Sequence, residues 1–109
     1  MSKPIVPKLA PYGAKMPALG YGTMLFPKPE SAVELILHAL CSGYRHIDTA
    51  RKYGSEPWVG EAIRASGLPR DEIWVTTKVT EENARADDFA RSVDISLTAL
   101  GLDYVNLLL

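Results

Sequence analysis

Apolar residues recur along the chain with two different periods. Between residues 31 and 42 they fall at Val33, Ile36, Leu37 and Leu40, the i, i+3, i+4, i+7 spacing of one helical face. Residues 55–66 carry Val59, Ala62 and Ile63 on one side and predict a second helix. A third is predicted with Phe89, Val93, Leu97 and Leu100 on its buried face and Asn83 or Asp87 as its cap. Each helix runs into a glycine, Gly43, Gly67 or Gly101, the residue best suited to closing a helix, and Pro69 reinforces the second stop. Between them lie short runs rich in β-branched and aromatic residues, at 44–48, 73–77 and 104–109, which read as strands. Residues 18–23 form an earlier apolar run interrupted by Gly20 and Gly22, a brief strand entering a loop where backbone approaches something closely. Ahead of it, Pro4, Pro7, Pro11 and Pro17 leave room for no more than an edge hairpin turning at Gly13-Ala14, because proline cannot donate to a ladder.

The strands centre near Leu19, Ile47, Val75 and Leu107, at intervals of 28, 28 and 32 residues. A βα unit repeating at that interval implies parallel strands, since each crossover returns the chain across the sheet. The fold class is therefore α/β, and two architectures fit it: a doubly wound open sheet and a (β/α)8 barrel. Four units are half of a barrel, whose complete form takes about 250 residues.

Composition narrows the partners. Twelve basic residues against 13 acidic ones give a net charge of −1, which supplies neither the basic stripe that nucleic acid needs nor a lipid-binding surface. With 47% apolar and 23% charged residues the chain has ordinary globular composition. It lacks an apolar run near the ~20 residues of a membrane helix, and its N-terminus lacks the apolar core of a secretory signal, so a cytoplasmic location is expected. One cysteine, Cys41, excludes an internal disulfide framework and reads as a small buried hydrophobe. Trp58 and Trp74 read as packing groups. The chain stops within the apolar run Leu107-Leu108-Leu109, so either this strand ends buried or the sequence is a piece of something longer.

Candidate chemistry collects at one sheet edge. Asp48 ends the second strand, Tyr53 follows in the loop entering the next helix, and Lys78 ends the third strand. In parallel α/β folds the C-terminal strand ends form the functional face, so these three groups converge there. A tyrosine hydroxyl is a weak acid with an ordinary pKa near ~10; a neighbouring ammonium favours its phenolate, and a carboxylate keeps that ammonium charged and oriented. The set describes a proton relay with Tyr53 as general acid, suited to protonating a carbonyl oxygen while a cofactor delivers hydride to the carbon. A plain structural Asp48–Lys78 pair is the alternative. Gly20-Tyr21-Gly22 invites comparison with a dinucleotide fingerprint, but Leu25 stands where the third glycine belongs. His46 and Asp48, two apart on a strand, could begin a metal site, but no further His or Cys cluster completes it, and no metal is assigned.

Gly43-Tyr44-Arg45-His46-Ile47-Asp48-Thr49-Ala50, followed by Glu56 and Val59-Gly60, resembles the long N-terminal signature of the aldo-keto reductase family. Met16-Pro17 through Gly20-Tyr21-Gly22-Thr23 resembles its first strand, Thr76-Thr77-Lys78 its third, and Asp103-Tyr104-Val105-Asn106-Leu107 its fourth. The resemblance implies the N-terminal half of a (β/α)8 TIM barrel closed below by an N-terminal β-hairpin, with residues 1–109 as the first four strands of a partial NADP-dependent oxidoreductase domain. It implies NADPH-dependent reduction of an aldehyde or ketone, a small-molecule carbonyl substrate, to an alcohol. It assigns Tyr53 as proton donor, Lys78 as the group that lowers its pKa, and Asp48 as the residue holding Lys78. Gly22, Thr23, Met24 and Asp48 align with positions beside the nicotinamide end of NADP(H), with Met24 where many members carry tryptophan. The family's catalytic histidine is expected just past Leu109, and its phosphate-holding positions lie in the second half of the barrel. The 109 residues alone are thus expected to be inactive. The competing expectation is a non-enzymatic half-barrel that self-associates through its open sheet edges or acts as a binding module.

Overall fold

The computed structural model describes residues 8–9, 15–26, 29–80 and 85–109. Two strands, β1 (Lys8–Leu9) and β2 (Met16–Pro17), pair antiparallel with Leu9 opposite Met16. The expected turn at Gly13-Ala14 lies outside the described residues. Then β3 (Tyr21–Gly22), α1 (Ala32–Cys41), β4 (His46–Asp48), α2 (Glu56–Ser66), β5 (Trp74–Thr77), α3 (Ala86–Leu100) and β6 (Leu107–Leu108) alternate along the chain. The four later strands form one parallel sheet in the order β3-β4-β5-β6. Strands adjacent in sequence are adjacent in space, as in one half of a (β/α)8 barrel. Among the described residues no helix is long and apolar enough to cross a membrane.

The core lies between sheet and helices. Ile36 and Leu40 of α1, Val59, Ala62 and Ile63 of α2, and Leu100 of α3 close over Ile47 of β4 and Val75 of β5. Helix α2 packs against both α1 and α3. Its contact with α3 depends on Gly60: a Cβ there would overlap the backbone carbonyl of Leu100, so the two helices approach as closely as they do because that position carries no side chain.

Several expectations are corrected. Met16 and Pro17 belong to the hairpin and not to the first barrel strand, which shortens to Tyr21–Gly22. The last strand shortens to Leu107–Leu108, because the Asn106 side-chain Oδ1 takes the Val75 N–H and the Tyr104 carbonyl takes the Arg70 guanidinium. In α3 the inward residues are Ser92, Ser96 and Leu100; Phe89 is 40% exposed, and Val93 and Leu97 are half-buried. Ser92 Oγ accepts from the Arg51 guanidinium at 3.4 Å. Arg85, in extended conformation, precedes α3 without a side-chain cap; Asp87 lies in the first turn, where its charge favours the helix dipole, and Asn83 lies outside the described residues. Cys41 is exposed, since it follows the buried Leu40 by one position and turns away from the sheet.

Candidate functional site

Parallel pairing sets the register of the site. Gly22 of β3 is opposite Asp48 of β4, and Asp48 is opposite Thr76 of β5. Side chains alternate across a strand, so Ile47, Val75 and Thr77 face the helices while His46, Asp48, Trp74, Thr76 and Lys78 face the other side. After β4 the chain makes a short 3-10 turn, Arg51–Tyr53, closed by Gly54 at φ 72°, a left-handed conformation that glycine adopts without steric cost. This turn brings Tyr53 back over the strand ends.

The three groups expected to converge are brought together. Lys78 Nζ donates to Asp48 Oδ1 at 2.5 Å and to the Tyr53 hydroxyl oxygen at 2.8 Å, and it lies 4.8 Å from the centre of the Tyr53 ring. The tyrosine oxygen accepts from lysine, so its own proton is available to another acceptor. Burial alone would lower the Lys78 pKa, but hydrogen bonds and charge from Asp48 and Tyr53 outweigh it and raise it above the ordinary lysine value. Its side chain is 30% exposed and that of Asp48 is 42% exposed, so the pair is open to a ligand from the strand-end side.

The loop after β3 completes this edge. Nothing lies within 4 Å of where a Gly22 Cβ would stand, so a flat group can reach the backbone beside Asp48. Met24 is 61% and Leu25 83% exposed. Thr23 is turned away: it is 1% exposed, its N–H and hydroxyl both donate to the Asp48 carbonyl, and Ser55 Oγ is 2.8 Å from its Oγ1.

His46 is tied down away from the three. Its Nδ1 is 3.2 Å from the Pro17 carbonyl, which can only accept, so this nitrogen carries the proton. Its Nε2 lies 2.8 Å from Thr76 Oγ1, a hydroxyl that also accepts from the Trp74 indole N–H. Both ring nitrogens are thereby engaged within the protein, and Trp74 is buried in packing as expected. Trp58, half-buried, meets Phe26 edge-on with ring centres 6.2 Å apart.

A buried hydrogen-bonded set lies on the helix side of the same strand ends; it includes Thr23, expected on the cofactor side, and Glu56 of the signature, while the roles of Thr49, Ser55 and Thr77 were missed by sequence reasoning. Ser55 Oγ bridges Thr23 Oγ1 at 2.8 Å and Thr49 Oγ1 at 2.9 Å, and Thr77 Oγ1 donates to Glu56 Oε2 at 2.6 Å. All five residues are at most 2% exposed. The signal was present in the pattern: Thr49 and Thr77 occupy strand-end positions facing a helix layer where an apolar residue is the default.

Residues 18–109 match the family model described as "Aldo/keto reductase family". The chain belongs to that family. This aldo/keto reductase chain is 50% identical over 97 residues to morphine 6-dehydrogenase of Pseudomonas putida, covering 89% of this chain and 32% of that protein. It is 48% identical over 97 residues to glycerol 2-dehydrogenase (NADP(+)) of Saccharomyces cerevisiae, covering 89% of this chain and 30% of that one. A crystal structure of an aldo/keto reductase from Brucella melitensis superposes with a TM-score of 0.87 at 41% identity, over 94% of this chain and 40% of that one. A silkworm (Bombyx mori) aldo-keto reductase solved in complex with NADP superposes with a TM-score of 0.88 at 33% identity, over 94% and 37%. The aldo/keto reductase chain thus spans about a third of the length of the curated relatives it matches. Its four-stranded parallel sheet corresponds to part of their barrel, in agreement with the half-barrel expected from the sequence.

Proposed function

We propose that the protein, in its full-length form, reduces an aldehyde or ketone to an alcohol with NADPH, and that residues 1–109 are the first four strands of that oxidoreductase domain. The observation that carries this reading is the Lys78 ammonium bonded at once to Asp48 and to the Tyr53 oxygen. Tyr53 gives its proton to the carbonyl oxygen of the substrate. As that proton leaves, negative charge develops on the phenolic oxygen, and the ammonium 2.8 Å away stabilises it. Asp48 holds the ammonium in place and offsets its charge, which favours keeping the lysine protonated throughout.

NADPH supplies the hydride when bound. The open backbone approach at Gly22, the exposed Met24 and the accessible Asp48 carboxylate fit the uncharged nicotinamide end of such a cofactor. Thr23 shapes this wall from behind, its hydroxyl being committed to Asp48 and Ser55. The yeast relative, a glycerol 2-dehydrogenase (NADP(+)), supports NADPH over NADH as the cofactor. The exposed thiol of Cys41 suits a reducing compartment such as the cytoplasm.

The test is Tyr53→Phe in the full-length protein, with consumption of NADPH followed by absorbance against a simple aldehyde. Loss of the general acid is expected to lower kcat by about 10²–10⁴-fold. Unchanged turnover would remove Tyr53 from its role and the reading with it.

A further inference from the structure

We infer that Glu56 is a positioning residue for Lys78, and through it for the Lys78–Tyr53 contact, acting through Thr77 from the helix side of the strand ends. The three proton-handling groups come from three separate places: the end of β4, the turn before α2, and the first position past β5. On the inner face Lys78 joins them. On the outer face each has an immediate or near neighbour tied to Ser55, the residue before α2, or to Glu56, its first residue. Thr49, next to Asp48, bonds to Ser55. Thr77, next to Lys78, bonds to Glu56. Tyr53 reaches the same anchor along the chain through Gly54.

The direction of these bonds is fixed by chemistry. The Asp48 carbonyl can only accept, so Thr23 gives its hydroxyl proton there. Each hydroxyl has one proton, so Ser55 donates to Thr23 and Thr49 donates to Ser55. The series runs Thr49 to Ser55 to Thr23 and ends on the Asp48 backbone. Glu56 Oε2 accepts the Thr77 hydroxyl separately. A carboxyl group 2% exposed is costly to bury, and an apolar residue of similar volume would fill the same space between α2 and β5. What an apolar residue cannot do is hold the β5 end at a set height against α2. Lysine is long and rotamer-rich, so its ammonium reaches both partners only if the strand end beneath it is held.

The kinetic part of this inference rests on the function proposed above; a spectroscopic part does not. In the full-length protein, Glu56→Ala is expected to lower kcat by about tenfold, as small misplacements of reacting groups do, with the KM for NADPH unchanged. Glu56→Gln is expected to remain close to the parent, since an amide oxygen still accepts the Thr77 proton. In the same proteins, carbon-13 at Tyr53 Cζ and nitrogen-15 at Lys78 Nζ report the pair directly by NMR, whether or not there is turnover. Both signals are expected to move in Glu56→Ala and to stay in Glu56→Gln. Thr77→Val, which removes the donor, is expected to reproduce Glu56→Ala, and it carries the test if Glu56→Ala does not fold. Signals that stay in place in Glu56→Ala and Thr77→Val, or that move equally in Glu56→Gln, overturn the inference. A parent protein that reduces no carbonyl while the signals respond as described sinks the proposed function and leaves the positioning role standing.

Discussion

Lys78 exchanges part of its hydration for Asp48 and Tyr53, and the exchange has a sign that can be measured. Its folded pKa is raised, so the folded state holds the proton more tightly than the unfolded chain. The stabilisation this brings is complete below the unfolded value of about 10.4 and is lost as pH rises through the higher folded value. Urea titrations at pH 9 and above pH 11 should therefore show an alkaline loss of stability that is larger in the parent than in Lys78→Met. Equal losses in the two proteins would contradict the coupling. The same three residues were legible in the sequence because each ends a strand or enters a helix on one sheet edge, where chemistry-bearing side chains are expected. Their helix-side neighbours were less legible: Thr49, Ser55 and Thr77 are ordinary residues in a strand or at a helix start, and only their burial and mutual bonds distinguish them.

At the scale of elements, apolar periodicity found α1, α2 and the β4 and β5 strands to within two residues, because their inward residues are the large aliphatics that burial selects. It misplaced the face of α3, whose inward stripe begins with two serines. A period drawn through Phe89, Val93 and Leu97 follows side-chain volume, whereas the buried stripe runs through Ser92, Ser96 and Leu100. Where Leu100 meets α2, Gly60 leaves the room. Gly60→Ala places a methyl against the Leu100 carbonyl and should cost about 1–3 kcal/mol, the range for forcing extra volume into a packed contact, read as a lower urea midpoint. A variant as stable as the parent would show that the helices part without penalty.

The molecule as a whole is a sheet with two outer strands, β3 and β6, and unpaired strand edges invite pairing with another chain. For the 109 residues expressed alone we expect association that grows with concentration in analytical ultracentrifugation, and little or no carbonyl reduction. A monomer at all concentrations would argue against the first, and turnover of NADPH against the second. The sheet also has two chemically distinct sides that meet at a single residue step. Thr77 faces the helices and Lys78 faces the ligand side, with nothing between them but the pleat. A one-residue insertion or deletion within β5 would invert that phase and turn the ammonium into the packed layer. The end of β5 is therefore governed by length before identity: substitutions there alter the chemistry by degrees, while a change of one residue in the count removes it.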